Sequence, residues 1–170
     1  MGRMSKNATV YIAMGGNVGN VKRTLLAAVR MMAEHEGIVL RRMSDFILTE
    51  PVYLPGAVDA AKQEKYLNAA VKIETTLSPR ELLAALQRIE SHLGRDRAKE
   101  GRWGPRTCDL DILLFGDLVM DSPDLTIPHP RLHERAFMLA PLAQIAPEAV
   151  HPVLKKTVVE LLAGLPKELP

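Results

Sequence analysis

Apolar residues dominate ATVYIAMGG, residues 8 to 16, and the run stops at two glycines. A short apolar run ended by a turn signal predicts a buried strand. Asn20 is then placed to cap a helix from Val21 to about Glu36, with Gly37 as its stop. Leu25, Val29 and Met32 recur at helical spacing and form the inward stripe of that helix. The segment IVLRRMSDFILTEP, 38 to 51, predicts one strand broken by Pro51. VYLPGAVDAAKQEK, 52 to 65, has no period and carries proline, glycine and charges, so it reads as a long mobile loop, a usual place for a lid.

Strand character returns in LNAAVKIETTL, 67 to 77. Ser78-Pro79-Arg80-Glu81 then has a cap, a proline for the first helical position and a glutamate for a capping box. Leu82, Leu86, Ile89 and Leu93 follow at helical spacing, and Gly94 closes the helix. The stretch 94 to 107 is a polar, glycine-punctuated loop, and an apolar strand follows it up to a turn at Gly116-Asp117. LVM and LTI predict short strands around Ser122-Pro123; 127 to 147 is proline-bounded and part helix; Thr157 to Ala163 predicts a final short helix. The order strand, helix, strand, strand, helix, strand is the split βαβ pattern of ferredoxin-like folds. The expected class is therefore α+β, with a mainly antiparallel sheet, helices packed on one side and mobile active-site loops.

Composition narrows the reading. The 170 residues suit one domain, 1–170, and 47% apolar content is enough for a core. A net charge of +2 argues against a nucleic-acid coat or a polybasic membrane tail. With one cysteine, Cys108, a disulfide framework is out, which fits a reducing cytoplasm; Cys108 itself reads as a small buried strand residue. No apolar run reaches the ~18 residues of a membrane span, so neither membrane nor nucleic acid is an expected partner, and a cytoplasmic monomer is expected.

The chemistry concentrates between 95 and 111. Asp109 and Asp111 stand at the mouth of the apolar strand, and residues two apart on a strand share a face, with Cβ atoms about 7 Å apart. Two carboxylates so placed repel unless a cation lies between them or one takes a proton. Carboxylates suit Mg²⁺, which uses few protein ligands and fills its shell with water and substrate phosphates. Just before them, Arg95, Arg97, Lys99, Arg102 and Arg106 fall within twelve residues, opposed only by Asp96 and Glu100. Guanidinium groups match phosphate oxygens bidentately, so this loop beside a metal platform points to phosphoryl transfer from a polyphosphate. Trp103, the sole tryptophan, sits in this loop, where it can anchor the loop or cover a site on closure. A basic loop alone would also suit a ferredoxin-like RNA-binding module, but aromatics are only 4% of the chain. A regulator that had lost catalysis would be expected to lack one of the aspartates. A sugar transferase using a nucleotide sugar also fits the aspartate pair alone.

The block RWGPRTCDLDILLFGD, 102 to 117, closely resembles the signature of the 6-hydroxymethyl-7,8-dihydropterin pyrophosphokinases of folate biosynthesis. Collinear segments extend the resemblance over roughly residues 8 to 150: YIAMGGN (11 to 17), YLNAAV (66 to 71), QRIE (87 to 90) with Gly94-Arg95, and IPHPRLHERAFMLAPLAQIAP (127 to 147). The departures are Gly16 where serine is usual, Ile47 where an aromatic is usual, Asp124 where some members carry a base, a longer stretch between Thr49 and Tyr66, and one extra residue between Arg97 and Trp103.

The resemblance implies transfer of the pyrophosphoryl group of ATP to 6-hydroxymethyl-7,8-dihydropterin, giving AMP. It implies that Asp109 and Asp111 bind two Mg²⁺ ions, with Arg95, Arg106, Asp109, Asp111 and His129 as catalytic residues. Gln87, Glu90, Arg95, Arg97, Ile112, Thr126, His129 and Arg135 would meet ATP. Thr49, Val52, Tyr66, Asn68, Trp103, Arg106 and Phe137 would meet the pterin, with Tyr66 and Phe137 sandwiching the ring and Asn68 reading its edge. Aromatic faces and an amide suit a flat heterocycle of that kind.

Overall fold

The apolar run at the start forms β1 (Ala8–Gly16), the helix after it α1 (Val21–Glu34), and the Asn20 side chain accepts from Arg23 N at 3.3 Å. The computed structural model describes residues 7–49, 65–94 and 107–166. After α1 come β2 (Ile38–Met43), β3 (Ile47–Thr49), β4 (Tyr66–Thr75), α2 (Pro79–His92) and β5 (Asp109–Phe115). A short hairpin of β6 (Met120–Asp121) and β7 (Thr126–Ile127) follows, then a 3₁₀ turn (Leu132–Glu134), α3 (Ala136–Ile145) and α4 (Val158–Ala163). The main sheet runs β2-β4-β1-β5, and every pair in it is antiparallel. Each βαβ unit thus has a strand of the other inserted between its two strands, which is the predicted ferredoxin-like arrangement.

The two faces of β1 divide the core. Val10, Ile12 and Met14 point to α1 and α2, where Leu25, Ala28, Met32, Leu82, Leu86 and Ile89 are at most 5% exposed. Burying a side chain of that size contributes about 1.5–3 kcal/mol. Tyr11 and Ala13 point the other way, to a second core of Met138, Leu139, Leu142, Ile145, Val158 and Leu161 from α3 and α4. Helices therefore cover both faces, not one as expected, because the chain after 127 supplies a second apolar layer. Among the described residues no helix is long and apolar enough to cross a membrane.

Three further expectations change in detail. The first helix ends at Glu34 with His35 as its cap, and Gly37 N donates to His35 Nδ1 at 3.0 Å. Gly37 is needed for space rather than for a left-handed cap: a Cβ there would come within 2.7 Å of Leu77 Cδ2. The strand predicted over 38 to 51 is two strands. Ser44 breaks it, exchanging bonds with Ala70: its N donates to Ala70 O at 2.9 Å, and its hydroxyl accepts from Ala70 N at 2.8 Å. Asp45 N is then free to turn toward Gln144 Oε1 on α3, at 2.8 Å. At α2 the Ser78 hydroxyl accepts from Glu81 N as predicted, while the complete reciprocal capping box forms on α4, between Thr157 and Glu160.

Candidate active site

Strand register places the chemistry. Gly15 of β1 is paired with Asn68 on one side and with Asp109 on the other, and Asn68 is paired in turn with Ile47 of β3. Directly opposed residues share a face, so Ile47, Asn68, Gly15 and Asp109 make one row across four strands. The neighbouring row on that face is Ala70, Ala13 and Asp111; on the other side of the first row lies the Thr49–Tyr66 pair. Ala13 and Ala70 belong to the α3 side of the sheet, so all of these side chains share that face. Asn68 and Asp109 are two interstrand spacings apart, about 10 Å. A flat ring at one end and a phosphate chain at the other fit that span.

Small residues make up this part of the face: Gly15 and Ala70 are buried and Ala13 is half-buried, with Ala13 and Ala70 at the margin of the second core. At the β3–β4 end, Asn68 is 6% exposed and its Nδ2 donates to Thr49 Oγ1. Tyr66 is half-buried at the start of β4.

The carboxylate end is braced from both neighbours. A β-bulge at Leu113 shifts β5 against β1, since Tyr11 faces Leu114 while Ile12 faces Ile112. Leu113 and Leu114 therefore both join the second core, and the Leu113 carbonyl accepts from His129 N at 3.0 Å. On the other side of the sheet, Glu90 of α2 is 1% exposed and accepts from Leu110 N at 2.9 Å. That amide lies between the two aspartates, so Glu90 fixes the backbone from which both project.

Arg135, the residue before α3, lies in the field of Asp111 and Asp109, and its guanidinium sits 5.5 Å over the Phe137 ring. Burial lowers its pKa, with Arg131 adding to the effect and the aspartates opposing it. An arginine so placed is still cationic at neutral pH. His129 is pushed down to about 4, first by burial and then by Arg135, against the pull of Asp109. Its Nδ1 accepts from Arg131 N at 3.1 Å, so the neutral ring carries its proton on Nε2. His129 is thus a hydrogen-bond donor and not a base.

The sign of the His129 shift gives a test. Its folded pKa lies below the ordinary 6.5, so the unfolded chain binds more protons between pH 6.5 and 4. The stability it carries is intact above pH 6.5 and is lost as pH falls toward 4, by up to about 3 kcal/mol. Denaturant melts of wild type and His129→Gln are expected to diverge through that window, with the wild type losing more. Parallel curves would contradict the shift.

The donor set also bears on a metal. Asp109 and Asp111 are half-buried, and no group of three or more His, Cys, Asp or Glu is gathered among the described residues. Two carboxylates with room around them suit Mg²⁺, which takes one or two protein oxygens and leaves the rest to water and phosphate, and do not suit a closed zinc cage.

Of the residues expected at ATP, Arg135, His129 and Glu90 converge on the aspartates, and Gln87 is exposed one turn earlier on α2. Glu90 accepts from the Leu110 amide through Oε2. Ile112 is 5% exposed, with its side chain in the α1/α2 core, so only its backbone can meet a nucleotide. Thr126 is half-buried on β7. Of those expected at the pterin, Thr49, Tyr66 and Asn68 are brought together, and Phe137 sits beside Arg135. Val52, Arg95, Arg97, Lys99, Arg102, Trp103 and Arg106 lie outside the described residues. Asp124 is held by Arg80, whose Nε and Nη2 reach its two carboxylate oxygens at 3.1 Å each, and by the Ser122 hydroxyl at 2.9 Å. It pins the β6–β7 turn to the first turn of α2. Sequence reasoning did not assign Gly15 a part; a glycine interrupting an otherwise apolar strand was the available signal.

A family model described as 7,8-dihydro-6-hydroxymethylpterin-pyrophosphokinase matches residues 11–147. A Bacillus subtilis protein named 2-amino-4-hydroxy-6-hydroxymethyldihydropteridine pyrophosphokinase is 46% identical over 139 residues, covering 82% of this chain and 78% of the relative. The Haemophilus influenzae protein of the same name is 43% identical, covering 85% of each. The Schizosaccharomyces pombe folic acid synthesis protein fol1 is 40% identical over 96% of this chain, which corresponds to 21% of that protein. Among solved structures, Plasmodium falciparum HPPK-DHPS with pteroate superposes with a TM-score of 0.71 at 16% identity, over 96% of this chain and 43% of that one, a likeness of fold.

Proposed function

The chain belongs to the 7,8-dihydro-6-hydroxymethylpterin-pyrophosphokinase family, and we infer that it moves the pyrophosphoryl group of ATP to the hydroxymethyl oxygen of 6-hydroxymethyl-7,8-dihydropterin, releasing AMP, in folate biosynthesis. One observation carries the reading to these residues: the row that puts Asn68 and Asp109 on the same face, with Asp111, Arg135 and His129 beside the aspartate.

Tyr66 and Phe137 offer aromatic faces to the pterin, and Asn68 and Thr49 offer polar groups to its edge. The triphosphate then lies over Asp109 and Asp111. Mg²⁺ held there, in two ions with the nucleotide, would offset the charge of the phosphate oxygens and polarise the phosphorus under attack. The hydroxymethyl oxygen forms its bond to the β-phosphorus as the bond to the bridging oxygen of AMP breaks. Arg135 supplies a fixed positive charge to the phosphate oxygens, and His129 Nε2 donates a hydrogen bond to them. Because His129 Nδ1 is occupied, the hydroxyl proton passes to solvent or to the phosphates themselves. Arg95, Arg97, Trp103 and Arg106 complete the proposal as phosphate and pterin contacts, with Val52 at the ring. We read the protein as a cytoplasmic, single-domain monomer, supported by two cores closed within one chain and a lone, buried cysteine.

Incubation with ATP and Mg²⁺, with and without the pterin, separates the reading from its rivals. AMP that appears only with the pterin is expected, detected by ion-exchange chromatography. ADP as the product, or AMP formed equally without pterin, would overturn it.

A further inference from the structure

We infer that Gly15 is a specificity-determining residue, which holds the Asn68 amide with its oxygen forward and so selects a heterocycle presenting N–H donors. The inference rests on the proposed function in taking Asn68 as the group that reads the ring.

A glycine inside a strand weakens it, so its presence needs a cause. Backbone conformation is not that cause. The positive-φ glycines among the described residues are Gly19, Gly94 and Gly116, and Gly15 lies in regular pairing with strands on both sides. Space is the cause. A Cβ on Gly15 would lie 2.8 Å from Asn68 Oδ1 and 3.5 Å from Leu67 O. The first distance is too short for any real contact of that kind, and the side chain it meets cannot simply swing away. Asn68 is nearly fully buried, and its Nδ2 is tied to Thr49 Oγ1. Rotating the amide to relieve the clash breaks that bond or turns the NH₂ toward Gly15.

The amide's polarity follows. With Nδ2 committed to Thr49, the oxygen leans over Gly15 toward the row that ends in Asp109. An oxygen there accepts from an amino group or a ring N–H and repels a ring nitrogen lone pair or a carbonyl. A site built to pair with a donor discriminates strongly against analogues lacking it. Glycine at 15 thus fixes which edge of the ring is read, and at what distance from the carboxylates.

The test compares Gly15→Ala, Asn68→Ala and the double variant. Dissociation constants are measured for 6-hydroxymethyl-7,8-dihydropterin and, separately, for Mg²⁺ with a non-hydrolysable ATP analogue, alongside thermal unfolding. Gly15→Ala is expected to weaken pterin binding at least tenfold, with nucleotide binding unchanged within about twofold. The double variant is expected to bind and melt like Asn68→Ala alone, because the clashing oxygen is gone. Unchanged pterin affinity in Gly15→Ala, an equal loss of nucleotide affinity, or multiplied losses in the double variant would each overturn the inference. Should Gly15→Ala fail to fold, the double variant decides: folding restored to the Asn68→Ala level supports it, and failure there too overturns it. A wild-type chain that binds no pterin overturns the proposed function and the pterin-selecting role with it. In that case the melting comparison still reports whether Gly15 makes room for Asn68.

Discussion

Replacing Asp111 with alanine is expected to lower kcat at least about a thousandfold while pterin affinity stays within about twofold. The asymmetry comes from where the residue stands. Asp111 is on the row of Ala13 and Ala70, one row away from Asn68, and on the edge strand β5, across the sheet from the Thr49–Tyr66 pair. Its carboxylate has no part in stacking or edge recognition of a ring. What it supplies is half of a two-carboxylate platform for a hard cation, and loss of such charge stabilisation removes several kcal/mol from the transition state. Stability should move little. Two carboxylates about 7 Å apart repel by roughly 1–2 kcal/mol at the effective dielectric of a half-buried site, and the relief of that repulsion is offset by the lost attraction between Asp111 and Arg135. A chain that folds about as well, binds pterin normally and releases no AMP at saturating Mg²⁺ is the expected outcome. Turnover within tenfold of wild type would remove the aspartates from the chemistry, and a large fall in melting temperature would make them structural.

Much of this site was legible in one dimension because its parts are local. β1 was read to the residue: it is covered on both faces, so its apolar run is continuous and its glycines mark the end. The capping residues Asn20 and Ser78 announced two helices for the same reason, since each bonds an amide three residues on. The aspartate pair needed only the two-residue period of a strand. What stayed hidden depends on partners far along the chain. Ser44 breaks the strand at 38–51 through bonds to Ala70. The bulge at Leu113 takes two successive leucines to one core, against the alternation a strand predicts. The bond from the Leu110 amide to Glu90 could not be read from the sequence, because only the fold brings α2 against β5. The second helical layer was missed because a helix carrying Pro141 and apolar on most sides shows no clear stripe.

Arg135→Ala is expected to move two quantities in opposite directions, and the opposition identifies what the arginine does. Arg135 sits in the field of both aspartates, in partly buried surroundings where its charge is weakly screened. Without nucleotide, that cation competes with a metal ion for the same two carboxylates. With nucleotide bound, the phosphates bring negative charge of their own, and the guanidinium can turn its donors onto phosphate oxygens while the carboxylates pass to the metal. Deleting it should therefore lower kcat by about a hundredfold, the usual cost of removing one pre-positioned donor from developing charge. Mg²⁺ should at the same time bind the nucleotide-free protein several-fold more tightly, since a like charge has left its neighbourhood. Arg135→Lys keeps the charge and loses the planar fork that meets two oxygens at once, so it should recover the wild-type metal affinity but only part of the rate. Calorimetric titration of Mg²⁺ and single-turnover AMP release read the two quantities independently. A parallel fall in both would mean that Arg135 holds the aspartates in place and does not act on the phosphates, and its proximity to Phe137 would then be a packing contact alone.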